Sequence, residues 1–284
     1  MSEIPFNIQV NQETIYGVVH YSENKNIQRN YPVVIFLHGW AGYRTGPHDM
    51  YVKMARSLTK IGHCCVRFDF RGRGYSQGNK NATNNRTMLA DLNGIIDYID
   101  QTLHSPRKIL IGICSGAKLA LYYAKSGSKI IDNVIAISSP VLRLADAGNQ
   151  LMINYTKRNL ILYVKKIFFG ETWEKLIHGE VYWGSVLSNV FKPILYYFKN
   201  KRKISNISST LTNRESFGNF DGKILLIHGE EDPETVPALK QIKRLLEGNN
   251  VYYNMHIVKG ANHSFYSLKW EKEVIEIIKI WLKS

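Results

Sequence analysis

The chain has 284 residues, of which 44% are hydrophobic and 21% charged, and this apolar content excludes an intrinsically disordered chain. Its length fits one large domain with an insertion. The formal net charge is +14, and three cysteines occur, Cys64, Cys65 and Cys114. So few cysteines, two of them adjacent, exclude a disulfide framework or a zinc site with paired cysteines and are typical of a reducing compartment.

The amino terminus lacks the basic and apolar regions of a secretory signal. No stretch approaches the roughly 20 apolar residues that span a bilayer. We therefore expect a soluble, cytoplasmic protein.

In chain order, the first elements are a hairpin and then alternating strands and helices. Alternating segments at 4–10 and 14–21, joined through 11–13, predict the hairpin, and the apolar run 33–37 predicts a strand buried on both faces. Further strands are predicted at 64–70, 108–111 and 133–137, and helices at 50–61, 87–103 and 117–124. This alternation indicates an α/β fold with a mostly parallel central sheet flanked by helices.

Beyond Pro140 the composition changes. Residues 141–218 are aromatic, basic and mostly helical in pattern, with twelve Lys/Arg against five Asp/Glu, which is half the net charge of the chain. Strands at 223–227 and 252–258 and helices at 238–246 and 268–282 then resume the alternation. We predict a core of residues 1–140 and 219–284, with a helical lid of residues 141–218 inserted after the sixth strand.

The basic lid is either a contact surface for an anionic partner or a solubilising surface. Its segment 157–169 is both basic and apolar, so it is compatible with an anionic membrane surface, with a channel for an acyl chain, or with a helix packed on the core.

The segment Gly112-Ile113-Cys114-Ser115-Gly116 follows a predicted strand and precedes a predicted helix. Strand, sharp turn and helix are the context of a nucleophile elbow, in which small flanking residues allow a strained turn that exposes one side chain. This spacing favours Cys114 as the nucleophile over Ser115, which lacks glycines at both offsets. A buried, inert cysteine is the remaining possibility.

A base and an acid are available in two later loops. His263 follows the last predicted strand, where an imidazole can reach back over the sheet edge to the nucleophile. Asp232 lies just past the strand 223–227 and before the turn-forming Pro233, with Glu230 and Glu231 as rivals. The order nucleophile, acid, base is typical of an elbow-type hydrolase.

An oxyanion requires two preorganised amide donors. We expect them from Ser115, the residue after the nucleophile, and from Trp40, in the loop that His38 and Gly39 open after the strand 33–37. The turn 69–76 has neither the third glycine of a dinucleotide motif nor a phosphate-loop lysine, so it is interpreted as structural, with Asp69 and Arg71 supporting the oxyanion loop.

Taken together, the elbow, the His-Gly loop, the Arg-Gly-x-Gly-x-Ser turn, the His-Gly-x-x-Asp loop and the Gly-x-x-His-x-Phe loop resemble the α/β-hydrolase superfamily. Within it they resemble the serine-aminopeptidase-like and monoacylglycerol-lipase-like hydrolases, over residues 31–140 and 219–284. The resemblance favours Asp232 as the acid. The chain departs from the pattern in having cysteine where serine is usual, and one extra residue between Asp232 and Val236.

Residues 44–48, residues 68–74 and the cysteine elbow are more narrowly similar to bacterial hydrolases associated with exosortase and exopolysaccharide gene clusters. The cysteine nucleophile also resembles that of dienelactone hydrolases.

These features predict a hydrolase that cleaves an ester or thioester through an acyl-cysteine on Cys114, with His263 and Asp232 completing the triad and with no metal or cofactor. An acyltransferase using the same triad and a non-catalytic ligand-binding protein are the alternatives. The expected partner is a small acyl-ester or acyl-thioester, and the basic lid is a candidate contact for an anionic membrane or an acyl carrier. Nucleic acid is not expected, and the oligomeric state is not predicted.

Overall fold

An eight-stranded sheet runs through the computed structural model of the chain, which describes residues 2–22, 31–81, 83–126, 130–142, 217 and 220–283. The described residues belong to one compact unit. Apart from 141, 142 and 217, the predicted lid and its basic segment 157–169 lie outside the described residues.

The strands are β1 (Ser2–Val10), β2 (Glu13–Tyr21), β3 (Val33–Leu37), β4 (Cys65–Phe68), β5 (Lys108–Ile113), β6 (Ile131–Ile137), β7 (Lys223–Gly229) and β8 (Tyr253–Val258). The described α-helices are α1 (Met50–Thr59), α2 (Asn85–Thr102), α3 (Ser115–Lys125), α4 (Thr235–Glu247) and α5 (Leu268–Lys283). The predicted elements within the described ranges are confirmed, with ends that differ by at most three residues.

The strand order is β1-β2-β4-β3-β5-β6-β7-β8. The first hairpin is antiparallel, β2 is antiparallel to β4, and the strands from β3 to β8 run parallel to one another. The carboxyl ends of the parallel strands therefore share one edge of the sheet. Loops that follow these strands are brought together there, which is where ligands bind in open α/β sheets.

Two apolar clusters cover the two faces of the sheet. Helices α2, α3 and α4 pack on one face, and α1 and α5 pack on the other. All five residues of β3 are buried, and alternate side chains enter alternate clusters. A strand covered on both faces needs an unbroken apolar run, which is why residues 33–37 carry no polar side chain.

Helix α2 starts two residues earlier than its apolar pattern predicts because a capping residue fixes its first turn. The side chain of Asn84 accepts hydrogen bonds from the amides of Arg86 (3.0 Å) and Thr87 (3.1 Å). The Thr87 hydroxyl in turn accepts from the amide of Asn84 at 2.9 Å. This reciprocal capping box satisfies amides that the helix itself cannot. Within the described ranges, no helix combines the length and apolar content needed to cross a bilayer.

Candidate active site

Cys114 lies in the sharp turn where β5 ends and α3 begins. Its φ of 55° and ψ of −121° are a left-handed conformation, which costs a residue other than glycine about 1–3 kcal/mol. The backbone is held on both sides, since its amide donates to Ile137 O (2.9 Å) and its carbonyl accepts from the amide of Lys118 (3.1 Å). The side chain remains partly exposed. The turn thus holds the sulfur out at the carboxyl edge of the sheet.

The two glycines that flank the turn are required by close backbone contacts. A Cβ atom on Gly112 would lie 2.4 Å from the carbonyl carbon of Gly116, and one on Gly116 would lie 1.9 Å from Leu37 O. Backbone atoms cannot rotate away, so a larger residue at either position would separate α3 from β5 or from β3. The Gly-x-Cys-x-Gly spacing is therefore a packing requirement of the turn.

The loop after β8 presents His263 to the sulfur, and the loop after β7 presents Asp232 to His263. The Nδ1 atom of His263 lies 2.6 Å from Oδ2 of the buried Asp232. The imidazole also hydrogen-bonds the side chain of Cys114. Since Nδ1 faces the carboxylate, Nε2 is the atom that faces the sulfur. The structure therefore brings Cys114, His263 and Asp232 into one hydrogen-bonded chain.

The acid loop and the histidine loop are connected by their own backbones. The amide of Glu231 donates to Ala261 O at 2.9 Å, and the carboxylate of Glu230 accepts from the amide of Gly260 at 2.8 Å. The second carboxylate oxygen of Asp232 accepts from the amide of Glu234 at 3.1 Å. Glu230 is thus bonded elsewhere, Glu231 is exposed, and Asp232 is fixed with one oxygen directed at the imidazole.

The surroundings favour an ion pair between the imidazole and the acid. Burial acts to lower the pKa of His263, but hydrogen bonds to Asp232 and Cys114, together with the charges of those groups, outweigh it and raise the pKa to about 10. Burial acts to raise the pKa of Asp232, but the hydrogen bond from His263 and its charge lower it overall. At neutral pH the imidazole is therefore protonated beside an ionised carboxylate.

The other cysteines and Ser115 are placed differently from Cys114. Cys64 and Cys65 are buried, and burial raises the pKa of Cys64 to about 12 and that of Cys65 well above its ordinary value. The hydroxyl of Ser115 is buried and has no hydrogen-bond partner among the described residues. Of the nucleophile candidates considered, only Cys114 has a hydrogen bond to His263.

The loop after β3 runs alongside the nucleophile turn. A Cβ atom on Gly39 would lie 3.4 Å from the Cβ of Cys114 and 3.9 Å from the Ser115 hydroxyl. Among the described residues, neither the amide of Trp40 nor that of Ser115 has a hydrogen-bond acceptor. The two predicted oxyanion donors therefore belong to adjacent backbone segments beside Cys114.

His38 orders this loop as a neutral ring. Its Nε2 accepts from the amide of Phe70 (3.0 Å), so its Nδ1 carries the hydrogen and donates to Gly39 O (2.8 Å). Burial lowers the pKa of His38 to about 4, which keeps the ring neutral. The bond from Phe70 also explains why β4 ends at Phe68 rather than at the predicted residue 70.

Asp69 and Arg71 lie in the turn after β4, and Asp69 bonds to Arg44 in the loop after β3, whereas Arg71 bonds to a helix. The Asp69 carboxylate accepts from the amide of Arg44 (2.6 Å), forms an ion pair with the guanidinium of Arg44, and accepts from the amide of Tyr75 (3.1 Å). Arg71 donates to Asp91 on α2 through its amide (2.9 Å) and Nε (2.8 Å). Phe70, between them, contacts the same loop through the bond from its amide to His38.

Tyr51 was not anticipated from sequence as part of this region. Its hydroxyl donates to Leu37 O at 2.8 Å, where the oxyanion loop starts, and the rest of the side chain is buried in the core. In the sequence it is one apolar position among several on α1. A tyrosine in place of phenylalanine was the available signal, because a buried hydroxyl needs a partner.

A sequence profile for the alpha/beta hydrolase fold matches residues 32–164. The human mitochondrial palmitoyl-protein thioesterase ABHD10 is 27% identical over 133 residues, which cover 47% of this chain and 42% of that protein. The lysophosphatidylserine lipase ABHD12 of Danio rerio is 34% identical over 87 residues, 31% of this chain and 21% of that protein. The matched segments span less than half the length of these relatives.

Solved structures match over nearly the whole chain. Est1E from Butyrivibrio proteoclasticus with bound ferulic acid has a TM-score of 0.66 at 15% identity, covering 98% of this chain and 97% of that one. The alpha/beta hydrolase domain-containing protein 10 from mouse has a TM-score of 0.61 at 14% identity, and the match covers 99% of this chain and 98% of the mouse chain.

The strand order, the sharp turn after β5 and the overlap with these structures define an α/β-hydrolase fold, so the predicted fold class is confirmed. The profile match and the two relatives agree with this assignment over the first half of the core. Over residues 32–164 the chain is also similar in sequence to alpha/beta hydrolases.

Proposed function

We propose that the chain hydrolyses an ester or thioester through an acyl-enzyme intermediate on Cys114. One arrangement supports this above all: the partly exposed sulfur of Cys114 is hydrogen-bonded to His263, which lies 2.6 Å from the buried carboxylate of Asp232. A nucleophile, a base and an orienting acid in one hydrogen-bonded chain are the parts that acyl transfer requires.

In the first step the sulfur attacks the acyl carbonyl while His263 carries the proton. The positive imidazole beside Cys114 stabilises negative charge on the sulfur, and the thiolate is the nucleophilic form. The carbonyl oxygen gains the negative charge and accepts hydrogen bonds from the amides of Trp40 and Ser115. The carbon–sulfur bond to the enzyme forms, His263 gives its proton to the departing alkoxide or thiolate, and the leaving group is released as an alcohol or thiol.

In the second step water resolves the thioester on Cys114. Neutral His263 removes a proton from the water as it attacks the carbonyl, the same two amides hold the oxyanion, and the bond to sulfur breaks. The products are a carboxylic acid and the enzyme with its proton back on His263. Asp232 stays ionised throughout and stabilises the imidazolium.

The relatives are consistent with this chemistry in kind. ABHD10 is named a palmitoyl-protein thioesterase and ABHD12 a lysophosphatidylserine lipase, which are a thioester and an ester activity respectively. The matched segment of ABHD10 reaches less than half of either chain, so its substrate is not transferred to this protein. We also propose, from the resemblance of residues 44–48, residues 68–74 and the cysteine elbow, that the chain is related to the exosortase-associated hydrolases.

Kinetics with a graded series of p-nitrophenyl esters and acyl thioesters tests the proposal. We expect Cys114→Ala to lose about 10³-fold or more of kcat/KM on its best substrate, because the covalent route is removed. The acyl-enzyme trapped by acid quenching should be cleaved by neutral hydroxylamine, as a thioester on Cys114 would be and an oxyester on Ser115 would not. Equal rates for wild type and Cys114→Ala would exclude this nucleophile, and ester formation with added alcohol would indicate a transferase.

Alkylation provides an independent test of the Cys114 and His263 pair. Iodoacetamide at pH 7 should label Cys114 rapidly and to one equivalent, while the buried Cys64 and Cys65 serve as internal controls and remain unlabelled in the folded protein. His263→Ala should slow the labelling by about tenfold or more, measured by peptide mass spectrometry. An unchanged rate in that variant would mean that the imidazole does not activate the sulfur.

A further inference from the structure

Several arginines lie near the carboxyl edge of the sheet, and three of them have clear partners in the protein. Arg44 forms an ion pair with Asp69, and Arg71 forms one with Asp91. Arg67 donates hydrogen bonds to His20 Nε2 (2.8 Å) and to Arg44 O (3.0 Å). Each of these guanidinium groups connects one element to another. They are explained by the architecture of the fold.

Arg73 differs from them. Within the described part of the chain its guanidinium has neither an ion pair nor a hydrogen bond, and its Nε atom is buried without a partner. The guanidinium carbon lies 5.3 Å from the ring centroid of Trp40, so the cation lies over the indole ring. Burial lowers the pKa of Arg73, as expected for a positive charge that has lost solvent and gained no counter-ion.

The backbone holds Arg73 in this position. Its amide donates to Phe70 O (3.0 Å), and its carbonyl accepts from the amide of Ser76 (2.9 Å). Gly74, at φ 50°, leaves no room for a side chain, since a Cβ there would lie 2.2 Å from the Asp69 carboxylate. The turn is therefore fixed, and the direction in which the Arg73 side chain leaves it is restricted.

The indole under Arg73 belongs to the loop that bounds the nucleophile. Trp40 follows Gly39, which lies against Cys114, and the amide of Trp40 is one of the two proposed oxyanion donors. The amide of Phe70, at the start of the Arg73 turn, donates to His38 in the same loop. A group bound to Arg73 would consequently lie one side chain away from the backbone that faces the reacting carbonyl.

We propose that Arg73 is a specificity-determining residue that binds an oxyanionic group, a carboxylate or a phosphate, on the acyl substrate. The planar fork of a guanidinium suits these two groups, and a cation–π contact with the indole uses none of its N–H donors, so paired hydrogen bonds to a ligand can form. A ligand oxygen would satisfy the buried Nε, which otherwise remains an unpaired donor on a charged group. This inference rests on the proposed function, and it narrows the substrate to an anionic ester or thioester.

Two substrate series distinguish where the anion sits. In the first, p-nitrophenyl monoesters of straight-chain dicarboxylic acids are compared with neutral monocarboxylic esters of equal chain length, which places a carboxylate on the acyl part. In the second, acyl-coenzyme A is compared with the acyl-pantetheine of the same acyl group, which places phosphates on the leaving group. We expect wild type to prefer the anionic member of one series by about 10-fold to 100-fold in kcat/KM.

Arg73→Met should abolish that preference while changing the rate on the neutral member by less than about threefold. Arg73→Lys should retain part of it, because the charge remains but the paired geometry is lost. Arg86→Met is the matched control, since Arg86 is exposed on α2 and its loss changes the net charge equally. The preference of wild type for the anionic substrate should also fall as the sodium chloride concentration is raised, because salt screens the attraction between the Arg73 guanidinium and the anion. This test needs no substitution.

Two outcomes overturn the inference. One is the absence of an anion preference in both series with wild type. The other is an equal loss on neutral and anionic substrates in Arg73→Met, which would assign the residue a purely structural role. If wild type turns over none of the esters, the proposed function has failed instead. Calorimetric titration of Cys114→Ala, with and without Arg73→Met, then tests the inference with the anionic members of both series. We expect the variant that also carries Arg73→Met to bind one of them with a Kd at least tenfold weaker, and an equal Kd for all of them would overturn the inference.

Discussion

At the level of single residues, the choice of acid shows how closely spaced side chains differ in what they can do. Glu230, Glu231 and Asp232 are consecutive, yet only Asp232 is buried and contacts His263. Its other carboxylate oxygen accepts from the amide of Glu234, which fixes the orientation of the group. A carboxylate held in this way keeps the imidazole in one tautomer and stabilises its positive charge.

Asp232→Asn should therefore lower kcat/KM by about 100-fold or more, because the amide cannot stabilise the imidazolium and can hold the wrong tautomer. Steady-state kinetics on the best ester measures this. Glu231→Gln is the control, since Glu231 is exposed and adjacent, and its rate should stay within about threefold of wild type. A larger loss in Glu231→Gln than in Asp232→Asn would reverse the assignment of the acid.

At the level of elements, the position of α3 against β3 determines the geometry around the nucleophile. Gly116 is buried in the first turn of α3, and a Cβ atom there would lie 1.9 Å from Leu37 O and 2.8 Å from His38 O, where β3 ends and the oxyanion loop begins. This contact holds the amide of Ser115 close to the loop that carries Trp40. The distance between the two proposed oxyanion donors thus depends on a glycine that bears no reactive group.

Gly116→Ala is expected to destabilise the protein by about 1–3 kcal/mol and to reduce kcat more than tenfold, because its methyl group would overlap Leu37 O and push the helix away. Urea unfolding and steady-state kinetics measure the two effects. Gly248→Ala is the matched substitution, since Gly248 ends α4 with an ordinary helical φ of −65°. Native stability and activity in Gly116→Ala would contradict this account of the turn.

At the level of the whole molecule, the sheet encloses several histidines as neutral groups. Burial lowers the pKa of His38 and of His228 to about 4, and within the described ranges neither ring nitrogen of His228 has a hydrogen-bond partner. In the unfolded chain a histidine binds its proton near pH 6.5. Below that pH these histidines bind protons in the unfolded state, whereas in the folded state they stay neutral until about pH 4. The free energy of unfolding therefore falls as the pH is lowered across this interval.

For His228, the shift corresponds to about 3 kcal/mol lost between pH 6.5 and pH 4. We expect His228→Leu to be more stable than wild type at pH 5 and to show a flatter dependence of the unfolding free energy on pH, measured by urea unfolding. His256→Gln removes an exposed histidine and should leave the pH dependence of wild type unchanged. Parallel pH curves for wild type and His228→Leu would show that this histidine is not buried as a neutral group.

Much of this architecture is readable from local sequence. The continuous apolar run of β3, the alternation of the first hairpin and the 3.6-residue pattern of the helices each reflect contacts made by successive residues. The ends of elements were less predictable, because they depend on partners far along the chain. The amide of Phe70 donates its hydrogen bond to His38, 32 residues away, instead of to a neighbouring strand, and β4 therefore ends at Phe68.

The sequence by itself determined the order of the strands and helices, and the glycine spacing that makes Cys114 the apex of a turn, because these follow from local backbone sterics. Only the tertiary structure decided which of three adjacent acids reaches His263 and which arginine of the Arg-Gly-Arg-Gly turn lacks a partner. Both outcomes depend on how separate loops meet at one edge of the sheet. The bond between Asp232 and His263 joins residues 31 apart, and no periodicity in the chain encodes such a distance.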